Sequence, residues 1–273
     1  MNKNEIDVSI LICCYNVEKY INRCLSSIVK NTYINKCEIL IIDDCSKDNT
    51  QKIIQDFLTI NKTLNMTFIK NKKNMGISYN RQELLNKALG KYIIFVDGDD
   101  FVEKNYIEKL LNHATTENYD LVTCNFYVDY NNNSSKSYSN LTTNNLYNIN
   151  GFINHEIGGY LWIKLIRREF ILSNNIRFIK NLNTLEDMLF CIKLCSKQIK
   201  IGFIDDFLYH YCRDNENSYI KELKLKNYQE MLRVFNNLFL YLKRNKLLKF
   251  TYKAFIKEYI SILYGIILII FKR

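Results

Sequence analysis

The amino-acid sequence predicts an α/β fold built on a mostly parallel sheet. Short apolar runs rich in β-branched residues alternate with segments whose apolar residues repeat at helical spacing. This alternation is typical of right-handed strand–helix–strand crossovers, in which helices cover both faces of the sheet. The chain of 273 residues is 48% hydrophobic and 24% charged, which suits a folded domain with a substantial core.

Four strands are predicted in the first part of the chain. They span Val8–Cys14, Cys37–Asp43, Met66–Lys70 and residues 92–96. The first, second and fourth are continuous apolar runs, the pattern of a strand that helices cover on both faces.

Helices are predicted between these strands, each with one apolar face. In the first, that face consists of Tyr20, Ile21, Cys24, Leu25, Ile28 and Val29. The second lies within residues 46–58, where Ser46 or Asp48 is available as the N-cap. The third lies within residues 76–90, and Gly90 is expected to close it.

Polar clusters follow three of the predicted strands. Tyr15 and Asn16 follow the first, Asp43 and Asp44 the second, and the segment 97–100, "DGDD", the fourth. Because the carboxyl ends of parallel strands lie on one edge, where such sheets bind ligands, we expect these clusters to converge. Three carboxylates this close repel one another unless a positive charge lies among them. Taken alone, the cluster is also compatible with a capped turn before the next helix.

The second half of the chain is less regular. We predict a helix over 102–117, a strand over 121–128, and a long loop or irregular hairpin over the Asn-rich segment 129–150. A helix over 184–197 and a strand over 200–204 follow. Two helices, over 221–244 and 247–271, are predicted after them.

The last of these helices contains the apolar run "YISILYGIILIIF". A membrane-spanning helix needs about 20 apolar residues, so this run is too short to span a bilayer by itself. Two interpretations remain open. One is a buried or oligomer-forming helix, and the other is docking at a membrane surface with basic residues on its flanks.

The composition narrows the class of protein further. A formal net charge of +10 suits an anionic partner, but lysine enrichment is also expected from codon bias in a chain that has no proline. The sequence has no cluster of Lys and Arg with stacking aromatic residues, which a nucleic-acid-binding module would require. Nine cysteines without a C-x-x-C pair are expected to be reduced and buried. The N-terminal segment alternates like a strand and is not expected to be a signal peptide.

Several segments, taken in order, carry a family resemblance. They are "VSILICCYNVEKYINRCLSSIVKNTY", "EILIIDDCSKDNT", "NKKNMGISYNRQELLNKALGKYIIFVDGDD", "LWIKLIRREF", "LEDMLF" and "YHYCRDNENS". This series closely resembles glycosyltransferase family 2, whose members are inverting GT-A enzymes that use nucleotide-diphosphate sugars. The resemblance is strong over 7–126 and weaker over 159–218. It does not cover the C-terminal helices.

The resemblance implies a GT-A fold, the Rossmann-like fold of nucleotide-diphospho-sugar transferases, with a helical C-terminal extension. The catalytic domain would span residues 1–220, with a nucleotide-binding half (1–128) and an acceptor-side half (129–220). The extension would span 221–273. Peripheral membrane contact through the C-terminus and homo-oligomerisation are both compatible with this organisation.

The resemblance also implies the transfer of a sugar from a UDP-sugar to a hydroxyl of a glycan or lipid-linked glycan. The setting would be capsule, lipopolysaccharide or other surface-polysaccharide assembly at the cytoplasmic face of the membrane. The alternative is a catalytically inactive nucleotide-sugar-binding protein of the same fold. The retained set of acidic residues argues against that alternative: Asp44, Asp97, Asp99 and Asp187.

By resemblance, six residues would bind the donor nucleotide: Tyr15, Asn16, Glu18, Asp44, Arg81 and Asp97. Asp44 would accept from the uracil N3–H, with Asp43 as its substitute. Structural alternatives exist for two of the six. Glu18 also suits the first turn of a helix, where the helix dipole favours acids, and Arg81 also suits an exposed helix position.

The D-x-D pattern implies a divalent cation, Mn²⁺ or Mg²⁺, bound together with the donor diphosphate. Asp99 would be the direct ligand, Asp97 would contact the ribose or the water shell of the metal, and Asp100 would be a support or helix cap. His210 would be a second metal or phosphate contact, with Arg213 competing for the phosphate role. A lone histidine is also compatible with a structural role.

An inverting transfer needs a base that deprotonates the acceptor hydroxyl. By resemblance the base is Asp187, and Glu186 would position the base or the acceptor. The alternative is structural, because Thr184-x-x-Asp187 is nearly a capping box. Trp162 would stack on a sugar or anchor the core, and Lys164 completes a family-like W-x-K.

The chain departs from the family pattern in four places. The family usually has proline where Cys13 stands, glycine where Cys45 stands, and serine or alanine where Gly98 stands. It often has "ARN-x-G" where residues 80–84 of this chain read "NRQEL". These departures fall on packing or turn positions rather than on chemically active side chains. The Arg81 position is retained.

Overall fold

The computed structural model describes residues 5–131, 133–214 and 225–271. Within these ranges the strands are Val8–Cys14 (β1), Cys37–Asp43 (β2), Met66–Lys70 (β3), Tyr92–Asp97 (β4), Phe101–Val102 (β5), Leu121–Tyr130 (β6), Asn133–Ser137 (β7), Lys164–Arg167 (β8) and Ile201–Cys212 (β9). The α-helices are Ile21–Val29 (α1), Thr50–Ile60 (α2), Ile77–Lys87 (α3), Tyr106–Thr116 (α4), Asn145–Ile153 (α5), Arg168–Ser173 (α6), Glu186–Cys195 (α7), Leu225–Arg244 (α8) and Leu248–Phe271 (α9).

The strands form one curled sheet in the order β3-β2-β1-β4-β8-β6-β9-β5, with β7 paired to β6. Strand β1 runs parallel to β2 and β4, and β2 runs parallel to β3. Strand β8 is inserted antiparallel between β4 and β6, and β6 runs parallel to β9. The predicted α/β fold with a mostly parallel sheet is therefore confirmed.

The register brings three strand ends to one edge of the sheet. Cys14 at the end of β1 lies opposite Asp43 of β2, and Cys13 lies opposite Asp97 of β4. The polar residues that follow these strands consequently lie at the same edge, as the sequence predicts.

Two apolar layers cover the sheet because successive side chains of a strand point to opposite faces. Ile10 and Ile12 of β1 pack with the layer that contains α1, α2 and α4. Leu11 packs with the opposite layer, which contains residues of α3, α5, α7, α8 and α9. Every residue of β2 is buried, which explains its continuous apolar pattern.

Several predicted boundaries are wrong. Strand β9 is much longer than predicted, and a short strand, β5, pairs with it before α4. For the Asn-rich segment, the irregular hairpin that the sequence predicts is confirmed by the antiparallel pairing of β6 and β7, but helix α5 was not predicted. Gly90 does not close α3, which ends at Lys87. A Cβ at Gly90 would lie 2.5 Å from the backbone nitrogen of Ser9, so Gly90 serves close packing.

Helices α8 and α9 pack on each other, and they also contact α7 and α5 respectively. The start of the predicted helix at 221–224 lies outside the described residues. None of the helices in the described ranges has the length and apolar character needed to cross a bilayer. The division into residues 1–220 and 221–273 stays a prediction.

Candidate active site

The loops after β1 and β2 are interlocked by hydrogen bonds between backbone and side chains. The backbone N–H of Asn16 donates to Ser46 Oγ at 2.9 Å, and Asn16 Oδ1 accepts from Lys47 N at 2.8 Å. Glu18 N donates to Asp48 Oδ2 at 3.0 Å, while Glu18 Oε2 accepts from Asn49 N at 2.8 Å. These bonds hold the two loops rigidly at the sheet edge.

This network also assigns local roles to two predicted residues. The carboxylate of Glu18 binds the backbone just before α2, so it does not act in the first turn of α1. Asp48 accepts from Thr50 N at 3.0 Å at the start of α2, whereas Ser46 donates to Asp43. Tyr15 is 46% exposed beside this network, where a ligand could reach its ring.

Asp44 is buried in a cradle of donors. Its carboxylate accepts from Asn71 Nδ2 at 2.8 Å, from Met75 N at 2.7 Å and from Gly76 N at 2.9 Å. Gly76 has a φ of 85°, a conformation that favours glycine. Asp44 therefore fixes the loop that leads into α3, at the same edge as the loops after β1 and β2.

Cys45 occupies a backbone conformation that glycine prefers. Its φ is 65°, in the left-handed region, where a side chain is strained. The position is the one at which the family usually has glycine. The conformation is one that a glycine at this position would adopt without strain.

Arg81 connects the D-x-D segment to the N-terminus of α7. Its Nη2 donates to Asp97 Oδ1 at 3.2 Å, and its Nη1 donates to Glu186 Oε1 at 2.6 Å. Arg81 is only 6% exposed, so the alternative of a solvent-exposed helix arginine is excluded. Burial opposes its charge, but the carboxylates of Asp97 and Glu186 raise the pKa of Arg81 and keep it protonated.

The three aspartates of the D-x-D segment have different surroundings. Asp100 is buried and accepts from Tyr209 Oη and Cys212 N, both at 2.8 Å, so it anchors β9 and supports the segment. Asp97 and Asp99 are partly exposed. Burial raises the pKa of Asp100, and the charges of Asp99 and Asp97 raise it further. This crowding of negative charge is what a bound cation would relieve.

The donor set fits a hard divalent cation that is shared with phosphates. Across the three described ranges, no group of three or more His, Cys, Asp or Glu side chains forms a metal site from protein atoms alone. Mg²⁺ usually retains waters and binds one or two carboxylates together with substrate phosphates. Asp97 and Asp99 match that requirement.

Asp187 lies at the N-terminus of α7, directly after a strained turn. Leu185 has a φ of 55°, a conformation that costs a residue with a side chain on the order of 1 kcal/mol. Thr184 Oγ1 donates to Glu230 Oε2 of α8 at 2.9 Å, and the N-cap position of α7 is Leu185, whose side chain cannot accept a hydrogen bond. The capping-box alternative is therefore not realised.

The environment of the pair formed by Glu186 and Asp187 raises the pKa of both groups. Burial raises the pKa of Asp187, and the charges of Arg81 and Lys164 partly offset this. Burial also raises the pKa of Glu186, Arg81 opposes it, and the charge of Asp187 adds to it. Raised carboxyl pKa values near a site edge are typical of groups that move protons.

Both ring nitrogens of His210, which the sequence analysis assigned to a metal or phosphate contact, lie within hydrogen-bond distance of carboxylates. Its Nδ1 is 2.8 Å from Asp129 Oδ2, and its Nε2 is 3.0 Å from Glu103 Oε1. The imidazole also stacks on Phe101, with ring centroids 4.1 Å apart. Metal coordination by His210 stays a prediction, and it would require one of the two carboxylates to be displaced.

Trp162 and Lys164 are both buried. Trp162 is 5% exposed and stacks on Tyr209, with ring centroids 4.5 Å apart, so a sugar could reach it only after rearrangement. Lys164 is fully buried and its Nζ donates to the carbonyl of Tyr160. Contact of these residues with a sugar stays a prediction, while the structure shows Trp162 packed in the core and the charge of Lys164 lowers the pKa of Asp187.

Two tyrosines, which the sequence analysis missed, lie within electrostatic reach of the aspartates. Tyr160 is 39% exposed; burial raises its pKa, and the charge of Asp187 raises it further. Burial also raises the pKa of Tyr211, and the charges of Asp100 and Asp99 add to this effect. Both rings stack on Trp162. The strand alternation of the "YHYC" segment was the available signal, since it puts Tyr209 and Tyr211 on one side of β9.

Comparisons with known proteins agree with this geometry. The model of the family described as "Glycosyl transferase family 2" matches residues 9–175, more than half of the chain. The chain belongs to glycosyltransferase family 2. The matched region contains the interlocked loops, Arg81 and the D-x-D segment, and it ends before Glu186.

Among curated relatives of the chain, a cholesterol galactosyltransferase from Borreliella burgdorferi is 34% identical and covers 74% of the chain. The match covers 59% of that relative, so the chain spans less than two thirds of its length. The putative glycosyltransferase EpsH from Bacillus subtilis is 26% identical over 89% of the chain and 71% of its own length.

Solved structures share the fold of this family member. A crystal structure of S. aureus TarS 1-349 in complex with UDP-GlcNAc superposes with a TM-score of 0.69 at 23% identity. The superposition covers 84% of this chain and 65% of that one. The likeness confirms the GT-A fold.

Proposed function

We propose that the protein is an inverting, metal-dependent glycosyltransferase that transfers one sugar from a UDP-sugar to an acceptor hydroxyl. The observation that carries this proposal is the Arg81 bridge. It joins Asp97 of the D-x-D segment to Glu186, the neighbour of Asp187. The buried guanidinium of Arg81 thereby sets the distance between Asp97, which is assigned to the donor, and the Glu186–Asp187 pair, which is assigned to the acceptor.

The donor site is assigned to the edge formed by the loops after β1, β2 and β4. Tyr15 would contact the base, and the Asp44 cradle would shape the uracil pocket. The TarS neighbours were solved with UDP and with UDP-GlcNAc, which supports a UDP-sugar as donor. Because Asp44 already accepts three hydrogen bonds, a contact with uracil N3–H would have to share one of its oxygens.

Asp99 and Asp97 are assigned to Mn²⁺ or Mg²⁺. The ion would neutralise negative charge that develops on the leaving diphosphate. A mannosyltransferase from Pyrobaculum calidifontis, solved with GDP-Man and Mn²⁺, has a similar fold with a TM-score of 0.63. Arg23 donates to the carbonyl of Asp99 at 2.8 Å and stabilises the backbone of this segment.

Asp187 is assigned as the general base. The backbone N–H of Met188 occupies its Oδ1 at 2.7 Å, so Oδ2 would receive the proton of the acceptor hydroxyl. The hydroxyl oxygen forms a bond to the anomeric carbon while the bond from that carbon to the diphosphate oxygen breaks. A carboxylate with a raised pKa is a stronger base than an exposed aspartate, which suits this step.

The acceptor is assigned to the class of glycans or lipid-linked glycans in surface-polysaccharide assembly on the cytoplasmic side of the membrane. Two relatives act by name on a polymer and on a lipid: a poly(ribitol-phosphate) β-N-acetylglucosaminyltransferase and the cholesterol galactosyltransferase. Tyr160, which is 39% exposed, and the half-buried Tyr211 both stack on Trp162, and they offer aromatic surface for a sugar ring.

The proposal is tested by a panel of nucleotide sugars. Thermal shift and donor hydrolysis are measured with UDP-sugars and GDP-sugars, each with Mn²⁺ and with a chelator. We expect stabilisation by at least one UDP-sugar and metal-dependent release of UDP. UDP binding without any turnover would favour an inactive binding protein, and a preference for GDP-sugars would overturn the donor assignment.

A further inference from the structure

The outer side of α9 carries a row of large apolar side chains. They are 40 to 60% exposed and recur at helical spacing: Ile256, Ile260, Leu263, Tyr264, Ile267, Leu268 and Ile270. On the inner side of α9, Phe255 and Ile262 are buried in the core. Single exposed apolar residues are ordinary, but a contiguous row marks an interaction surface.

A row of lysines lies on the same side of α9, in the N-terminal half of the helix. Lys249, Lys253 and Lys257 are exposed and spaced four residues apart, which aligns them on one face. After Glu258, the helix contains no charged residue. The outer side of α9 is therefore basic along its first half and apolar along its second.

No exposed acid offsets these lysines on α8 or α9. The two acids of the helices are engaged on the inner side: Glu230 accepts from Thr184 Oγ1 at 2.9 Å, and Glu258 Oε1 lies 3.3 Å from His155 Nε2. Glu258 has only 18% of its side chain exposed. The basic residues across both helices and their connection are Lys226, Arg233, Lys243, Arg244, Lys246, Lys249, Lys253 and Lys257.

A second copy of the chain fits this surface poorly. If two α9 helices paired in parallel, the lysine rows would face each other and repel. If they paired antiparallel, each lysine row would lie against the apolar row of the partner and lose its hydration. A partner must therefore present negative charge to the lysine row and an apolar surface to the adjacent apolar row.

We infer that the outer side of α9 docks onto an anionic lipid bilayer. The apolar row enters the boundary between headgroups and acyl chains, and the lysine row contacts lipid phosphates. Helix α9 packs on α8, which holds Thr184 next to the Glu186–Asp187 pair through Glu230. Docking would thus orient the acceptor side of the site relative to the membrane.

The test is vesicle co-sedimentation of the full chain without any donor. Vesicles consist either of phosphatidylcholine alone or of phosphatidylcholine with an equal amount of phosphatidylglycerol. We expect at least about tenfold tighter binding to the anionic vesicles, and weaker binding at high salt. Because no sugar transfer is measured, the outcome does not depend on the proposed enzymatic function.

Two sets of variants separate charge from apolar contact. Lys249→Glu/Lys253→Glu/Lys257→Glu should weaken binding to anionic vesicles by at least about a hundredfold, since each lysine contributes about 1 kcal/mol and each new carboxylate is repelled by the lipid phosphates. Leu263→Gln/Ile267→Gln should weaken it by about tenfold. Matched controls on other exposed surfaces should bind like the parent protein: Lys52→Glu/Lys62→Glu/Lys87→Glu and Ile60→Gln/Leu89→Gln.

Circular dichroism and thermal unfolding check that each variant is folded. If Leu263→Gln/Ile267→Gln is not folded, Tyr264→Gln/Ile270→Gln is used in its place. The inference is overturned if the parent protein does not bind anionic vesicles, or if both α9 variants bind like their controls. It is also overturned if light scattering shows a dimer that Leu263→Gln/Ile267→Gln dissociates while vesicle binding is unchanged. That result would assign the surface to a second copy.

Discussion

The donor edge and the acceptor side of the site are built in different ways. At the donor edge, parallel pairing of β1, β2 and β4 sets the strand ends, and the interlocking bonds join loops about 30 residues apart. On the acceptor side, Asp187 follows a left-handed Leu185, and its neighbour Glu186 is held by Arg81 from 105 residues away. The donor edge thus follows from the sheet, whereas the acceptor side depends on a few particular side chains.

The largest effect is expected at the assigned base. Asp187→Asn should lower kcat by about 10³-fold or more, because the amide cannot accept the proton of the acceptor hydroxyl. UDP affinity should remain unchanged, since the donor edge does not depend on this residue. Steady-state kinetics and calorimetric UDP titration measure the two quantities. Asp56→Asn on exposed α2 is the control, and near-normal turnover of Asp187→Asn would remove it as the base.

Removing the bridge should break the link between the two sides. Arg81→Met keeps an apolar stem but leaves Asp97 and Glu186 without their buried partner, which should lower the free energy of unfolding by about 3 kcal/mol or more. Burial already raises the pKa of Glu186, so the loss should be smaller at pH 5, where the carboxyl protonates, than at pH 8.

Denaturant unfolding at the two pH values measures this loss. The exposed Arg233→Met variant should unfold like the parent protein. If Arg81→Met were equally destabilised at both pH values, the unpaired carboxylate of Glu186 would not be the cause.

The pH dependence of kcat/KM should report the ionisation of Asp187 on the acceptor side. Asp187 must be ionised to accept a proton, and burial raises its pKa, so activity should fall as the pH drops through that raised value. We expect the acidic limb clearly above the ordinary aspartate pKa of about 4, with a roughly tenfold fall per pH unit below it. A limb at or below that value would mean that the base is exposed.

The smallest effect is expected at the donor edge. Cys45→Gly should raise the free energy of unfolding by about 0.5–1 kcal/mol, because glycine adopts the observed φ of 65° without strain. The greater conformational entropy of glycine in the unfolded chain offsets part of this gain. Cys45→Val is the matched control and should destabilise the protein by a similar amount. Thermal unfolding of the two variants measures the difference, and equal shifts of the same sign would contradict the backbone explanation.

Much of the donor edge could be predicted from the sequence. Apolar runs identify β1, β2 and β4, and parallel pairing then requires their polar ends to meet, as Cys13 opposite Asp97 confirms. Local periodicity could not predict the length of β9, whose partners β6 and β5 come from distant parts of the chain. It also misjudged Gly90, because the close approach of Ser9 is a tertiary contact.

The sequence by itself determined the α/β class, the order of the first elements and the edge at which the carboxylates collect, because hydrophobic spacing encodes which face of each element is buried. Only the tertiary structure decided that Arg81 joins Asp97 to Glu186, that Thr184 binds Glu230 instead of capping α7, and that Trp162 is covered by tyrosines. These contacts join residues far apart in the chain, and their geometry depends on how whole layers pack.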